Sequence, residues 1–430
     1  MRLIYLTTRK LYGTLNLNLK FFSDLNILVG INGSGKTSAL SVIDWLLTLN
    51  LGKLATVPYE QLSLTIELNS IVYVISADRS DVQVVIYLQS DADFYEPISV
   101  SLRQGLITRD AETYYKNLSP EKHELKAWNF IKSIKNPTIV SLERTITAEI
   151  EDEVYLDRPS SSRVRQTKRP TTPIEYVQRI FADKYAEYRQ AARINDATLK
   201  SEIILAALDS PLNDEILGHG FFLPAESTEQ LEEKVKGYLS ASIPDQNVEI
   251  LVQRFFTYFR QLQKEVENST ETSDKVMNLV QSQFLKVDKL ARAFATFEQG
   301  NARAFSQIKA YLNSVNEFLK DSGKNIVADD NTGMLAFTDI KASTPHTLSR
   351  QISKLSSGET QIIILFALIA FEASERSVFI VDEPELSLHP KWQTEFMNSF
   401  LKLCPKNAQI FIATHSPEIV AGRRLSCVFF

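Results

Sequence analysis

The stretch GINGSGKT, residues 30–37, decides how the rest of the chain is interpreted. It matches G-x-x-x-x-G-K-[ST], with an apolar strand at 26–29 before it and an apolar-periodic helix from Thr37 to about Leu49 after it. Glycines let main-chain N–H groups close around phosphates, Lys36 brings positive charge to the β- and γ-phosphates, and Thr37 offers a hydroxyl to Mg²⁺. The stretch predicts a nucleotide site, and a simple glycine-rich turn is the alternative. The candidate nucleotide-binding residues are Asn32, Gly33, Ser34, Gly35, Lys36, Thr37 and Ser38.

Two acids end a buried strand far along the chain, in SVFIVDEPELSLHP at 377–390. Asp382 stands at the strand end, where a carboxylate can order Mg²⁺ directly or through water. Glu383, one residue later, projects differently and can act as general base on an attacking water. The alternative is that both acids cap the following helix. With the lysine-containing loop upstream, the pattern favours Thr37 and Asp382 as metal ligands and Glu383 as a catalytic residue.

A second buried strand, in QIFIATHSPEIV at 409–420, ends in Thr414-His415-Ser416-Pro417. The carboxyl ends of parallel strands form the edge of a sheet at which ligands bind. His415 is therefore interpreted as a catalytic residue that senses the γ-phosphate and positions the water. A histidine that only satisfies a strand end is the alternative.

The stretch KLSSGETQIIIL, residues 354–365, places small polar residues before a strongly apolar run. Main-chain N–H groups at the start of the predicted helix would make an anion site. The lysine-containing loop and the acidic strand end already supply a phosphate and Mg²⁺ site, so a second phosphate binder is redundant within one chain. The stretch is predicted to act on nucleotide held by another copy. Its candidate residues are Ser356, Ser357, Gly358 and Glu359.

Composition narrows the class of protein. The chain has 430 residues, 44% hydrophobic content and a formal net charge of −5, which argues against a surface coated in basic charge for nucleic acid. Its two cysteines, Cys404 and Cys427, have no metal-ligand spacing and favour a reducing compartment. Apolar runs are too short to span a bilayer, and no signal peptide is recognised. We expect a cytoplasmic protein without a membrane partner.

Residues 1–149 are predicted to form the first part of an α/β domain. The alternating stretch TLNLNLKF and the buried run NILVG predict two strands within residues 1–29. An antiparallel meander is expected over 62–68, 71–77 and 82–89, and a buried strand over 137–145. Residues 323–430 form the second part, which opens with a hairpin of NIVADD and MLAFTDI around Asn331-Thr332-Gly333.

Residues 150–322 are predicted to be a helical insertion that starts with an exposed connector. Helical periodicity covers 174–208 and 228–322, with a break or bend expected at Gly300-Asn301. The connector is interpreted as a solvated loop, although its basic half could contact a nucleic-acid backbone. The basic residues are Arg158, Arg163, Arg165, Lys168 and Arg169.

In this order the four motifs resemble the ATP-binding-cassette ATPases, in the branch with SMC-like heads. LSSGE at 355–359 looks like the cassette signature, Asp382-Glu383 like the Walker B pair, and His415 like the switch histidine. The implied fold class is α/β: an ABC/SMC-type ATPase head (P-loop NTPase) with a helical insertion domain. The stretches DEPELSLHP and ATHSP look closer still to overcoming-lysogenization-defect (OLD) type ATPases, whose D-loop role would fall on residues 386–389.

The chain departs from the family pattern in places. Where many members have Asn-Phe-Arg-Gly, this chain has Lys10-Leu11-Tyr12-Gly13, which leaves the adenine contact open. Neither Gln61 nor Gln104 has the flanking pattern of a Q-loop glutamine. No Toprim-like acidic cluster follows His415, so the nuclease site of full-length OLD proteins is not expected.

The resemblance implies an Mg²⁺-dependent ATPase that forms ATP-sandwich homodimers or higher oligomers. It is similar to stand-alone ATPases of the Septu (PtuA), PARIS (AriA) and retron anti-phage systems, which implies a sensor or scaffold that controls a separate nuclease or toxin. The alternative is a RecF-like or Rad50-like DNA-repair ATPase that binds nucleic acid directly. A transporter subunit is a third reading, ranked low because the LSSGE and LSLHP variants suit soluble heads.

Overall fold

The computed structural model describes residues 1–103, 108–140, 172–208, 228–242, 247–268, 274–340, 350–373, 378–386 and 388–430. The basic connector residues predicted at 158–169 lie outside these ranges, as do Gln104 and the expected start of the insertion at 150.

The described residues form fourteen strands: β1 Arg2–Leu11, β2 Leu15–Lys20, β3 Leu25–Val29, β4 Gln61–Leu68, β5 Ile71–Arg79, β6 Gln83–Ser90, β7 Ile98–Ser101, β8 Thr138–Val140, β9 Lys324–Ala328, β10 Leu335–Asp339, β11 Arg350–Gln351, β12 Val378–Asp382, β13 Gln409–Thr414 and β14 Cys427–Phe429. Over the same ranges the α-helices are α1 Lys36–Leu47, α2 Leu51–Thr56, α3 Thr108–Lys116, α4 Leu125–Ser133, α5 Pro173–Leu208, α6 Thr228–Ser242, α7 Asn247–Asn268, α8 Asp274–Leu319, α9 Ser357–Ala367, α10 Pro390–Leu403 and α11 Pro417–Val420.

The amino-terminal strands build an antiparallel sheet, with six described strands in the order β2-β1-β4-β5-β6-β7. Alternation places one face of each strand in the core; in β4, for example, Leu62, Leu64 and Ile66 are fully buried. The predicted meander of three strands is confirmed as β4, β5 and β6. The count of two strands within residues 1–29 is wrong, because MRLIYLTTRK also pairs, as β1 between β2 and β4.

A parallel sheet carries the predicted motifs, with five described strands in the order β14-β3-β13-β12-β8. Its strands are continuous apolar runs, as expected for a sheet buried on both faces, and every residue of β12 and β13 is buried. The register sets Val29 opposite Thr414 and Asp382 opposite Ala413. The carboxyl ends of β3, β13 and β12 therefore lie side by side at one edge.

The predicted hairpin after residue 323 is confirmed as β9 and β10, which pair antiparallel, and β11 adds to the same sheet. The helix α9 is buried almost throughout and continues as a π-helical segment, Leu368–Glu372. Phe366 on α9 packs against Phe318, Phe396 and Phe400. These contacts fix the helix that begins with the predicted anion site.

The chain forms two compact units. Unit 1 comprises Met1–Lys184 and Ile308–Phe430 and contains the three sheets. Unit 2 comprises Tyr185–Gln307 and is helical, with an apolar core from four helices that includes Leu199, Leu231, Phe256 and Phe294. The predicted insertion boundaries at 150 and 322 stay a prediction. In the described part of the chain, no helix is both long and apolar enough to cross a membrane.

Of the break or bend expected at Gly300-Asn301, the break is wrong, because α8 runs through both residues without interruption, and the bend stays a prediction. The glycine has a packing reason instead: a Cβ atom there would lie 2.9 Å from Asn195 Nδ2 on α5. That amide donates to Asn301 Oδ1 at 2.8 Å. Glycine weakens a helix by about 1 kcal/mol relative to alanine, and here its lack of a side chain allows the close approach.

Candidate functional site

The loop at 30–37 takes the conformation that its glycines permit. Gly33 and Gly35 have φ values of +79° and +99°, in the left-handed region that other residues rarely adopt. A Cβ atom on Gly35 would also lie 2.7 Å from Leu15 Cδ2. Lys36 is the first residue of α1 and no described side chain caps the helix start, so main-chain N–H groups of the first turn are available to an anion. Such an arrangement suits a phosphate group.

Lys36 is the buried cation at the centre of this site. Its side chain is only 5% exposed, and Nζ donates to the carbonyl oxygens of Gly30 at 2.9 Å and Ile31 at 3.3 Å. Burial lowers the pKa of Lys36, while the carboxylates of Glu383, Asp382 and Glu385 act in the opposite direction. Because the net shift is downward, the three carboxylates do not fully offset the cost of burial. A more negatively charged ligand, such as a phosphate group, would stabilise the ammonium form further.

Asp382 ends β12, and the Thr37 side chain lies near enough to its carboxylate to influence its pKa. Burial raises its pKa to about 6, helped by Glu383 and Glu385 and opposed by Thr37 and Lys36. Its Oδ1 atom is buried with no hydrogen-bond partner. A buried carboxylate oxygen without a partner, beside a threonine hydroxyl, fits a magnesium ion that completes its shell with phosphate and water oxygens. No group of three or more His, Cys, Asp or Glu side chains that could hold a metal occurs in the described ranges.

Glu383 adopts a backbone conformation that a glutamate rarely takes, with φ +50°. Its N–H donates to the carbonyl of Ala413 at 2.8 Å, which holds the residue across the ends of β12 and β13. The side chain faces the cleft, with Oε1 3.7 Å from His415 Nε2. Strained backbone held in place by its neighbours is common at functional sites.

His415 follows β13 and lies between Lys36 and Glu383. Its Nδ1 atom is 3.5 Å from Lys36 Nζ, and its main-chain N–H donates to Glu385 Oε1 at 2.6 Å. The histidine predicted from the strand end therefore contacts both the cation and the second acid of the site. This position allows the imidazole to respond to a group bound at Lys36.

A cleft of about 530 Å³ opens above these side chains. Most of the predicted nucleotide-binding residues line it, whereas Ser34 is tucked beneath, with its Oγ buried and without a hydrogen-bond partner. Tyr12 lines the cleft mouth with its side chain 49% exposed and φ at +53°. Sequence reasoning missed this residue as a site member, although its place before Gly13 was a signal. The lining residues are Tyr12, Thr14, Leu15, Asn32, Gly33, Gly35, Lys36, Thr37, Ser38, Glu383 and His415.

The predicted signature residues lie elsewhere in unit 1. Ser356 caps α9, and Glu359 closes a capping box by accepting from the Ser356 N–H at 2.8 Å. Both Glu359 oxygens also accept from Lys324 Nζ, at 2.8 and 2.9 Å. Burial raises the pKa of Glu359, but the hydrogen bonds from Lys324 and Ser356 outweigh it and bring the pKa to about 2. Glu359 thus shapes the helix start, while Ser356 and Ser357 are exposed.

Two further residues belong to the site without having been predicted from the sequence. Glu385, the second glutamate of DEPE, holds the His415 main chain, and Gln393 on α10 hydrogen-bonds Ser416 beside it. The charge of Glu385 was visible in the sequence, but its partner is 30 residues away. Gln61, considered as a Q-loop residue, instead donates to Asp78 Oδ1 at 2.9 Å on the antiparallel sheet.

The buried Asp382 carboxylate gives a test of the metal site. Because its folded pKa of about 6 lies above the usual 3.8, its ionisation costs stability as pH rises through this interval. We expect Asp382→Asn to stabilise the nucleotide-free protein at pH 7 by up to about 3 kcal/mol, with the gain shrinking towards pH 4. Urea denaturation at both pH values measures it. Added Mg²⁺ and ATP should stabilise the wild type more than the variant.

Asp81→Asn, in the exposed turn between β5 and β6, is the matched control and should change stability by less than about 0.5 kcal/mol at either pH. An Asp382→Asn effect that is the same at pH 4 and pH 7 would contradict the account of the buried carboxylate.

The chain is similar in sequence and in fold to known proteins. The chain is 27% identical to Protein ea59 of Escherichia phage lambda over 114 residues, which cover 26% of this chain and 20% of that protein. It thus spans about a fifth of the length of that relative.

Two solved SMC structures also resemble the chain. Each match covers 98% of this chain and 91% of the SMC chain. One is the head domain with an extended coiled coil bound to the C-terminal domain of ScpA from Pyrococcus furiosus, at 12% identity and a TM-score of 0.39. The other is an SMC head bound to the C-winged helix domain of ScpA, at 11% identity and a TM-score of 0.38.

The family model for the AAA ATPase domain matches residues 15–420. This range includes the loop at 30–37, the acidic strand end and His415. The chain belongs to the AAA ATPase domain family.

Proposed function

We propose that this chain hydrolyses ATP in the cleft above Lys36. The loop N–H groups and the Lys36 ammonium would hold the β- and γ-phosphates, and Thr37 and Asp382 would hold Mg²⁺. That ion, when bound, neutralises charge that develops on the phosphate oxygens. The buried Asp382 Oδ1 atom, which has no hydrogen-bond partner, supports the metal assignment, because an unpartnered buried carboxylate oxygen is costly unless a cation binds it.

Glu383 and His415 would carry the chemistry. Glu383 faces the cleft from a fixed backbone and would accept a proton from the attacking water as general base. His415 would hydrogen-bond the γ-phosphate and keep the Glu383 carboxylate aligned, since its two ring nitrogens face Lys36 and Glu383. At the cleft mouth the exposed Tyr12 ring offers a surface on which the adenine can stack.

The predicted signature stretch would complete this site in a second copy. One observation carries this proposal: among the described residues that line the cleft, none comes from 355–359. Ser356 and Ser357 are nevertheless exposed at the start of α9, where a capping box and an ion pair to Lys324 fix the helix end. A helix start that is exposed and lies outside the cleft of its own chain suits the γ-phosphate held by another copy, so ATP would join two copies as an ATP-sandwich dimer.

We further propose that this ATPase acts as sensor or scaffold for a separate nuclease or toxin in anti-phage defence. The resemblance of DEPELSLHP and ATHSP to OLD-type ATPases supports this role. The DNA-repair alternative gains no support within the described ranges, and the basic stretch that would favour it lies outside them.

Replacing the proposed base should stop hydrolysis without stopping binding. We expect Glu383→Gln to lower kcat by about 10²- to 10⁴-fold, because the water loses its proton acceptor while Lys36 still holds the phosphates. Size-exclusion chromatography with ATP should show a persistent dimer. Glu395→Gln, at an exposed position of α10, is the control and should turn over normally. Unchanged turnover in Glu383→Gln would remove this residue from the base role.

Mixing two inactive variants tests catalysis across copies. Lys36→Ala should remove phosphate binding, and Ser356→Arg should block the signature. A mixed dimer then retains one intact composite site, so an equimolar mixture should recover about a quarter of wild-type activity, because half the dimers are mixed and each has one site of two. Each variant alone is the control. The trans arrangement would be contradicted if the mixture recovered no activity and bound no ATP at one site per mixed dimer.

The effector proposal has its own test. We expect the protein, expressed with the products of its neighbouring genes, to be purified with a nuclease or toxin in a complex whose mass is a whole number of dimers. Native mass spectrometry gives that stoichiometry. If instead the isolated ATPase binds DNA tightly, with affinity that falls steeply as salt is raised, the DNA-repair alternative replaces the effector role.

A further inference from the structure

Glu385 is a carboxylate of the site that the proposed chemistry does not use. Its Oε1 accepts the main-chain N–H of His415 at 2.6 Å. Its Oε2 is buried and has no hydrogen-bond partner. Its charge also acts on Lys36 and Asp382, so it lies within the electrostatic reach of the cleft. Yet Glu385 is not among the described residues that line the cleft. We therefore expect a role in which Glu385 does not contact the nucleotide directly.

A glutamine on α10, Gln393, makes further hydrogen bonds to the segments that contain Glu385 and Ser416. Gln393 Nε2 donates to the carbonyl oxygens of Glu385 at 3.4 Å and Leu388 at 3.0 Å. Its Oε1 accepts from the Ser416 hydroxyl at 2.9 Å. One amide therefore bridges the segment after the acidic strand and the segment that follows β13.

These contacts converge on His415. The Glu385 carboxylate holds its main-chain nitrogen, and Gln393 holds the next side chain, Ser416. The imidazole itself contacts Lys36 and Glu383 only at 3.5 and 3.7 Å, distances that leave its orientation loosely set by those partners. The position of the ring must then come mainly from its anchored main chain.

We propose that Glu385 is a positioning residue that fixes the His415 main chain, with Gln393 as the second anchor of the same segment. The inference rests on the proposed ATPase function and deepens it, because it assigns the second glutamate of DEPE a task distinct from that of Glu383. The charge of Glu385 is not what the task requires. A third carboxylate beside Asp382 and Glu383 is electrostatically unfavourable, and a glutamine can accept the same hydrogen bond.

Comparing Glu385→Gln with Glu385→Ala separates the role of Glu385 as a hydrogen-bond acceptor from any role of its negative charge. Glutamine keeps an acceptor for the His415 N–H and should stay within about threefold of wild-type kcat, whereas alanine should lose at least about tenfold, because small misplacements of catalytic groups are costly. KM for ATP should change less than about twofold in both variants. Adding Glu385→Ala to His415→Ala should lower kcat no further, because both changes remove the same function.

Hydrogen exchange gives a readout that does not depend on turnover. In Glu385→Ala, amides in a peptide covering 411–420 should exchange about tenfold faster or more, while Glu385→Gln should retain the wild-type rate. Glu395→Ala is the matched control and should alter neither rate nor exchange.

The proposal is overturned if glutamine is as damaging as alanine, since the charge would then matter, or if alanine leaves both exchange and kcat unchanged. A wild-type protein that does not hydrolyse ATP would instead refute the proposed function, and the exchange measurement would still decide the role of Glu385.

Discussion

The burial of the Lys36 ammonium is the constraint on which the rest of the site depends. A charge with so little contact with water is costly unless it is paired and hydrogen-bonded. Two main-chain carbonyls accept hydrogen bonds from it, and the charges of Glu383, Asp382 and Glu385 favour its protonated form. The cation and the anions therefore stabilise one another only while the loop and the parallel strands keep their register. The same arrangement leaves more negative than positive charge at the strand ends, which a magnesium ion would balance.

The order of strands in the parallel sheet brings the residues around Lys36 together. Segments separated by hundreds of residues end at one edge, because β3, β13 and β12 run side by side in the same direction. A second tier of hydrogen bonds, from Glu385 and Gln393, holds the loops that leave this edge. On another part of unit 1, the Lys324–Glu359 ion pair fixes the start of α9. The site and the proposed signature are thus each built on helices and strands, which suits the proposed closure over a second copy.

Much of this could be predicted from local patterns, and the remainder depends on contacts between distant residues. The strand, loop and helix around 30–37 have periodicities that single out a phosphate site, and the buried runs at β12 and β13 predict a parallel sheet. The interruption expected in α8 was wrong because Gly300 serves its contact with Asn195, which no local pattern reveals. Glu385 was missed for the same reason, because it gains its role from His415, a neighbour that only the fold supplies.

The central proposal is that the start of α9, with exposed Ser356 and buried Gly358, binds ATP held by another copy of the chain. The most direct measurement is an experimental structure of the Glu383→Gln variant with Mg²⁺ and ATP. The account predicts that Ser356 Oγ and the Gly358 N–H of one copy lie within about 3.2 Å of the γ-phosphate bound at Lys36 of the other. A bound ATP whose γ-phosphate is contacted only by its own chain, with the start of α9 turned to solvent in both copies, would contradict it.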